Sequence, residues 1–146
     1  MAAVLRGSVL YSNLFTNKYI GDARDRGGRV VPLPMELTIP SPSTVADTYN
    51  MTVIPANSKV VGLEFTTDGL GASAGAGRTI ALGDSGDNDR YMVALDCDVA
   101  NAQGTLANTG QGYKPTADAI VVALTAGGAP VVGKKIMGTL FVVPGA

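Results

Sequence analysis

Apolar and polar residues alternate with a period of two along most of this chain, the signature of strands with one buried face. In 34–40, Met35, Leu37 and Ile39 point one way while Glu36 and Thr38 point the other. In 48–54, Tyr49, Met51 and Val53 alternate with Thr48, Asn50 and Thr52. In 59–67, Val61, Leu63 and Phe65 alternate with Gly62, Glu64 and Thr66. Ile80 and Leu82 share a face in 78–83, and Tyr91, Val93 and Leu95 share one in 90–96. Segments 119–126 and 135–143 are nearly apolar on both faces, which suits a sheet interior or a subunit interface. No stretch carries helical spacing long enough to predict a helix.

Turn chemistry separates these segments. It includes Pro40-Ser41-Pro42-Ser43, Pro55-Ala56-Asn57-Ser58, Thr67-Asp68-Gly69, the run from Gly83 to Asn88, and Ala126-Gly127-Gly128-Ala129-Pro130. Seven or eight short antiparallel strands at fairly regular spacing predict an all-β fold, a single β-sandwich that is jelly-roll-like. Residues 11–29 have no clean period and mix aromatics with Gly and Arg. Residues 1–32 are therefore expected to form an irregular N-terminal arm, and residues 33–146 the sandwich. Residues 101–112 are expected to form a second long polar loop.

At 146 residues the chain fits one domain with a real core. Hydrophobic residues make up 46% and charged residues only 16%, so part of the surface is expected to be hidden against another chain. The formal net charge of −1 gives no steering toward nucleic acid or a membrane surface. Basic residues gather early, in Arg24, Arg26 and Arg29, which read first as solvated loop charges. The opening MAAVLRGSVLYSNLF lacks the charged and apolar regions of a signal peptide, and no apolar run reaches the ~18–20 residues of a membrane-spanning helix. The protein is thus expected to be made in the cytoplasm.

Catalytic chemistry finds few supports. Gly83-Asp84-Ser85-Gly86 matches the surroundings of a trypsin-type serine nucleophile, but the chain has no histidine to take the serine proton. The single cysteine, Cys97, excludes an intramolecular disulfide and reads as a small buried hydrophobe. Asp84, Asp87, Asn88 and Asp89 could offer oxygen ligands to Ca²⁺, yet their spacing does not match an EF-hand. They read as a structural turn of Asp84, Asp87, Asp89 and Arg90, with Asp side chains capping backbone N–H groups. Arg90 is expected to pair with Asp84 or Asp87 and pin that turn; an intersubunit contact is the alternative. Gly69-x-Gly71 opens a glycine-rich run but precedes a strand, not the helix a dinucleotide site needs. The chain reads as non-enzymatic, with no catalytic residues, cofactor or metal.

One stretch carries a resemblance. The residues are Pro55-Ala56, Val60–Phe65, Leu70-Gly71-Ala72-Ser73, Ile80–Asp84 and Asp89-Arg90-Tyr91, followed by Gly112-Tyr113-Lys114 and Thr116–Val121. Together with the closing strand 135–143, they resemble the small virion proteins of tailed bacteriophages, chiefly head decoration (cement) proteins. The resemblance covers roughly residues 50–143, with Ala74–Gly77 as a small insertion. It implies a homo-oligomer, with a trimer as the expected state, on the exterior of a virion capsid. Its partner would be the major capsid protein, with neither nucleic acid nor membrane involved. The arm residues Leu14, Phe15, Tyr19, Arg24, Arg26 and Arg29 are the candidates for that partner interface. The alternative is a head-fibre or tail-associated module that binds a receptor or glycan, for which Tyr49 and Tyr113 are the aromatic candidates.

Overall fold

The computed structural model describes residues 29–71 and 77–145, and every regular element among them is a strand. The strands are β1 (Val31–Thr38), β2 (Thr48–Ile54), β3 (Lys59–Thr67), β4 (Thr79–Asp84), β5 (Asp87–Asp96), β6 (Gln103–Thr105), β7 (Ala119–Ala126) and β8 (Lys135–Val143). They form two four-stranded antiparallel sheets, ordered β1-β8-β3-β6 and β2-β7-β4-β5. In effect a long ribbon, β1 to β4 paired with β8 to β5, is wound over on itself. That is the jelly roll. The β4–β5 turn, Ser85-Gly86, is the tip of this ribbon.

The core lies between the sheets. Leu33, Met35, Leu63, Phe65, Ile136, Leu140 and Val142 come from the first sheet; Ile54, Ile80, Leu82, Tyr91, Met92, Val121 and Ala123 come from the second. The connections divide between two ends. Residues 39–47, 68–71, 77–78, 97–102 and 127–134 lie at what we term the upper end. Residues 55–58, 85–86, 106–118 and the C-terminal residues 144–145 lie at the lower end, where Arg29 also enters β1.

Three of the alternating segments differ from the period-two expectation, each at a β-bulge. In β2 the register against β7 shifts between Asn50 and Thr52. Tyr49 and Thr52, not Tyr49 and Val53, therefore stand opposite the buried Ala123 and Val121. Thr52 is fully buried there, and its Oγ1 has no hydrogen-bond partner. In β3 the shift between Val60 and Gly62 puts Val60, not Val61, in the core with Leu63 and Phe65. In β5 the shift opposite Ile80–Leu82 turns Val93 outward, to 61% exposure, while Met92 is buried beside Tyr91.

Two further differences concern element limits. β1 opens at Val31, because Pro32 and Pro34 lie on a sheet edge where a missing N–H costs no ladder hydrogen bond. The expected loop at 101–112 contains β6, which pairs with β3. Gly104 makes this possible, since a Cβ there would overlap the Met92 Sδ.

Candidate functional site

The tip of the ribbon is built around one carboxylate. The two-residue turn holds Asp84 opposite Asp87, so the side chain of Asp84 can reach back over both. Its Oδ1 accepts from the N–H groups of Gly86 (2.9 Å) and Asp87 (3.1 Å). Its Oδ2 accepts from Arg90 Nε (2.8 Å) and from the Tyr91 hydroxyl (2.7 Å). The Arg90 guanidinium lies 4.0 Å from the centre of the Tyr113 ring, and Tyr113 meets Tyr91 edge-on at 6.2 Å. Gly83 is required here, because a Cβ on it would overlap the backbone of Asn88. Thr109 and Ala107 tie the 106–118 loop to this tip by donating to the carbonyls of Arg90 and Tyr91.

Burial alone would raise the Asp84 pKa, but the hydrogen bonds from Tyr91, Gly86 and Arg90 outweigh it and hold the carboxyl below its usual value. Burial and the same carboxylate push the Tyr91 hydroxyl up, so it stays protonated and donating. Asp87 Oδ1 accepts from Asp89 N–H at 3.3 Å, and the nearness of Asp87 raises the Asp89 carboxyl. These acids are thus engaged with internal donors and with each other. Ser85 stands at the exposed turn itself. Among the described residues no group of three or more His, Cys, Asp or Glu is arranged to hold a metal ion.

Beside this tip runs an open groove of about 640 Å³ on the outer face of the second sheet. Its floor is the outward row of β7, Ile120, Val122 and Leu124. Thr48 and Asn50 of β2 wall one side and the 84–88 hairpin the other; the 113–118 segment closes the lower end. An apolar row of this kind is unusual on the solvent face of an antiparallel sheet.

The upper end has a different character. Its loops are knitted by backbone hydrogen bonds: Ile39 N–H to Lys134 O (2.8 Å), Gly133 N–H to Ile39 O (2.9 Å), Val131 N–H to Leu70 O (2.9 Å), Leu70 N–H to Cys97 O (2.6 Å) and Asn101 N–H to Thr67 O (2.8 Å). Its acids serve the same purpose. Asp47 accepts from Thr44, Asp68 from the Lys135 N–H, and Asp98 from the N–H groups of Gly77 and Arg78 and from the Arg78 side chain. Among the residues these loops turn outward are three valines: Val45, Val99 and Val132 are 60%, 55% and 48% exposed.

Of the residues singled out from the sequence, Asp84, Asp87, Asp89 and Arg90 meet at the ribbon tip. Leu14, Phe15, Tyr19, Arg24 and Arg26 lie outside the described residues; Arg29 is exposed at the lower end, just before β1. Tyr49 and Tyr113 sit toward opposite ends and both pack against the core. Sequence reasoning missed the groove floor, the three valine tips and the Arg78–Asp98 pair. The one advance signal was the two-faced apolarity of 119–126.

No protein-family model and no curated protein matches the chain. The sandwich is similar to chains from bacteriophage capsids. One is a chain of the cyanophage Pam1 capsid asymmetric unit, with a TM-score of 0.69 and 22% identity over 81% of this chain and 87% of that one. A second is from the capsid of Ralstonia phage GP4, with 0.67 and 20% over 82% and 86%. A third is from the acid-stable capsid of Helicobacter pylori bacteriophage KHP30, with 0.58 and 19% over 79% and 88%. At this identity the likeness shows the fold, and the matched shares show chains of similar length.

Proposed function

We propose that this chain is a non-enzymatic virion protein that decorates a phage capsid from the outside and stabilises it by bridging neighbouring major capsid proteins. The observation that carries the reading is the likeness, over most of both chains, to similarly sized chains in three phage capsids. The upper end supports it. Three exposed valines sit on three loops that are already fixed by cross-loop hydrogen bonds, so little ordering entropy is lost on docking. A lattice multiplies such modest contacts into avidity. The N-terminal residues Leu14, Phe15, Tyr19, Arg24, Arg26 and Arg29 supply a second contact in this proposal, to the capsid or to a neighbouring copy, and the copies assemble as a trimer. The fibre or receptor-binding alternative gains nothing from the aromatics, since Tyr49 and Tyr113 share no site and Tyr113 already carries Arg90 over its ring.

The test is the copy number of this protein relative to the major capsid protein in purified virions, by quantitative mass spectrometry. Near-equimolar amounts are expected. A count of a few dozen or fewer would move the protein to a vertex, fibre or tail, and absence from virions would end the virion reading.

A further inference from the structure

The groove over β7 is an apolar face that no described residue covers, beside the polar cluster of Asp84. We propose that it is the seat for residues 14–20, Leu-Phe-Thr-Asn-Lys-Tyr-Ile, of a neighbouring copy of this chain. This rests on the reading of the chain as a repeated lattice component.

Three observations support the match. The first is spacing. Ile120 and Leu124 bracket the floor four residues apart, about 13 Å along a strand. Laid extended, Phe15 and Tyr19 face one way with the same four-residue spacing, so two aromatic rings meet the two ends of the aliphatic row. The second is charge. The charged residues lining the groove are both acids, Asp84 and Asp118, and Asp84 is already paired with Arg90. Residues 1–28 carry Arg6, Lys18, Arg24 and Arg26 against Asp22 and Asp25, a basic excess of two. The third is reach. The segment joins the sandwich at Arg29, at the end where the groove closes. The nine residue-to-residue steps from Ile20 to Arg29 span up to about 30 Å, which is enough to leave one sandwich and reach another packed against it. Each copy gives a segment and receives one; passed head to tail around the proposed trimer, the contact closes into a ring.

Disulfide trapping in the full-length protein tests this. Asn17→Cys and Val122→Cys, the midpoints of the two rows, are combined, with Cys97 left in place because it is buried. After mild oxidation, non-reducing gels are expected to show covalent species larger than dimers from the double variant. Either single variant can give dimers at most. Loss of both new thiols within a monomeric band would place the segment in its own groove and overturn the second-copy assignment. Persistence of both thiols would overturn docking altogether. A second measurement is light scattering of Val122→Glu, a surface change whose folding is checked by circular dichroism. The concentration needed for oligomers is expected to rise at least tenfold, and an unchanged value would overturn the proposal. Failure here with near-equimolar copies in virions sinks the docking alone; trapped multimers with no copies in virions sink the virion reading alone.

Discussion

Asp84→Ala removes the acceptor at the tip of the ribbon, and its cost can be worked out donor by donor. Gly86 is exposed, so water replaces the lost partner of its N–H at almost no cost. The Asp87 N–H is half-buried and loses a few tenths of a kcal/mol. Tyr91 is fully buried, so its hydroxyl loses a charge-assisted bond with no water to replace it, at about 1–3 kcal/mol. The Arg90 side chain is 19% exposed, so its guanidinium is left partly desolvated with only the Tyr113 ring beneath it, at about 1–2 kcal/mol. The total is about 2–5 kcal/mol, centred near 3.5. With a urea slope near 1.5 kcal/mol/M, the midpoint drops by roughly 2 M. The chain has no tryptophan, so far-ultraviolet circular dichroism is the readout. A double-mutant cycle with Tyr91→Phe is expected to show at least about 1 kcal/mol of coupling, because the phenylalanine variant no longer strands a hydroxyl. A loss under about 1 kcal/mol for Asp84→Ala, or full additivity in the cycle, would refute the claim that this carboxylate organises the tip.

Acid should destabilise the fold through the same group. The folded pKa values of Asp84 and Asp98 lie below the 3.8 of a free carboxyl, so their stabilisation is fully present above that value and is lost as pH falls through the folded values. The urea midpoint at about pH 3 should therefore lie below that at about pH 7, and by a smaller margin in Asp84→Ala. The Cys97 thiol, pushed up to about 12 chiefly by burial, should stay inert to a thiol reagent at about pH 8 in the native state and react in step with unfolding. Labelling of the native protein at the rate of a free thiol would contradict the burial. Pro32→Val with Pro34→Val should leave the sandwich stable but promote concentration-dependent association, read by light scattering. Unchanged scattering would remove the edge-guarding role of these prolines.

The number and positions of the main strands were legible because each buries one face, and burial writes a period of two into the sequence. Phase was not. The bulges at Met51, Val61 and Val93–Ala94 add backbone without adding a side-chain signal, so apolar residues beyond each bulge exchange faces. The short β6 was hidden because Gly104 needs no side chain of its own when Met92 fills the space. At the candidate site, Asp84 and Arg90 lie six residues apart across a tight turn, and such proximity can be read. The ring of Tyr113 over Arg90, and the Arg78–Asp98 pair twenty residues apart, depend on how the ribbon winds. The valine tips carry no pattern at all.

Among the described residues, winding the ribbon leaves four strand edges unpaired, and each is guarded in its own way. β1 carries Pro32 and Pro34, which remove outward N–H donors; β6 is three residues long; β2 and β5 are interrupted by bulges. Strand addition between copies is therefore blocked at every edge. In the proposed lattice role this would matter more than for an isolated protein, because open edges would link copies into unregulated chains. In the proposed role, association falls to surfaces whose geometry is fixed, the knitted valine end and the β7 groove. These lie at different places on the molecule and differ in chemistry, one neutral and one lined by acids, so one copy can hold two unlike neighbours without the two contacts competing.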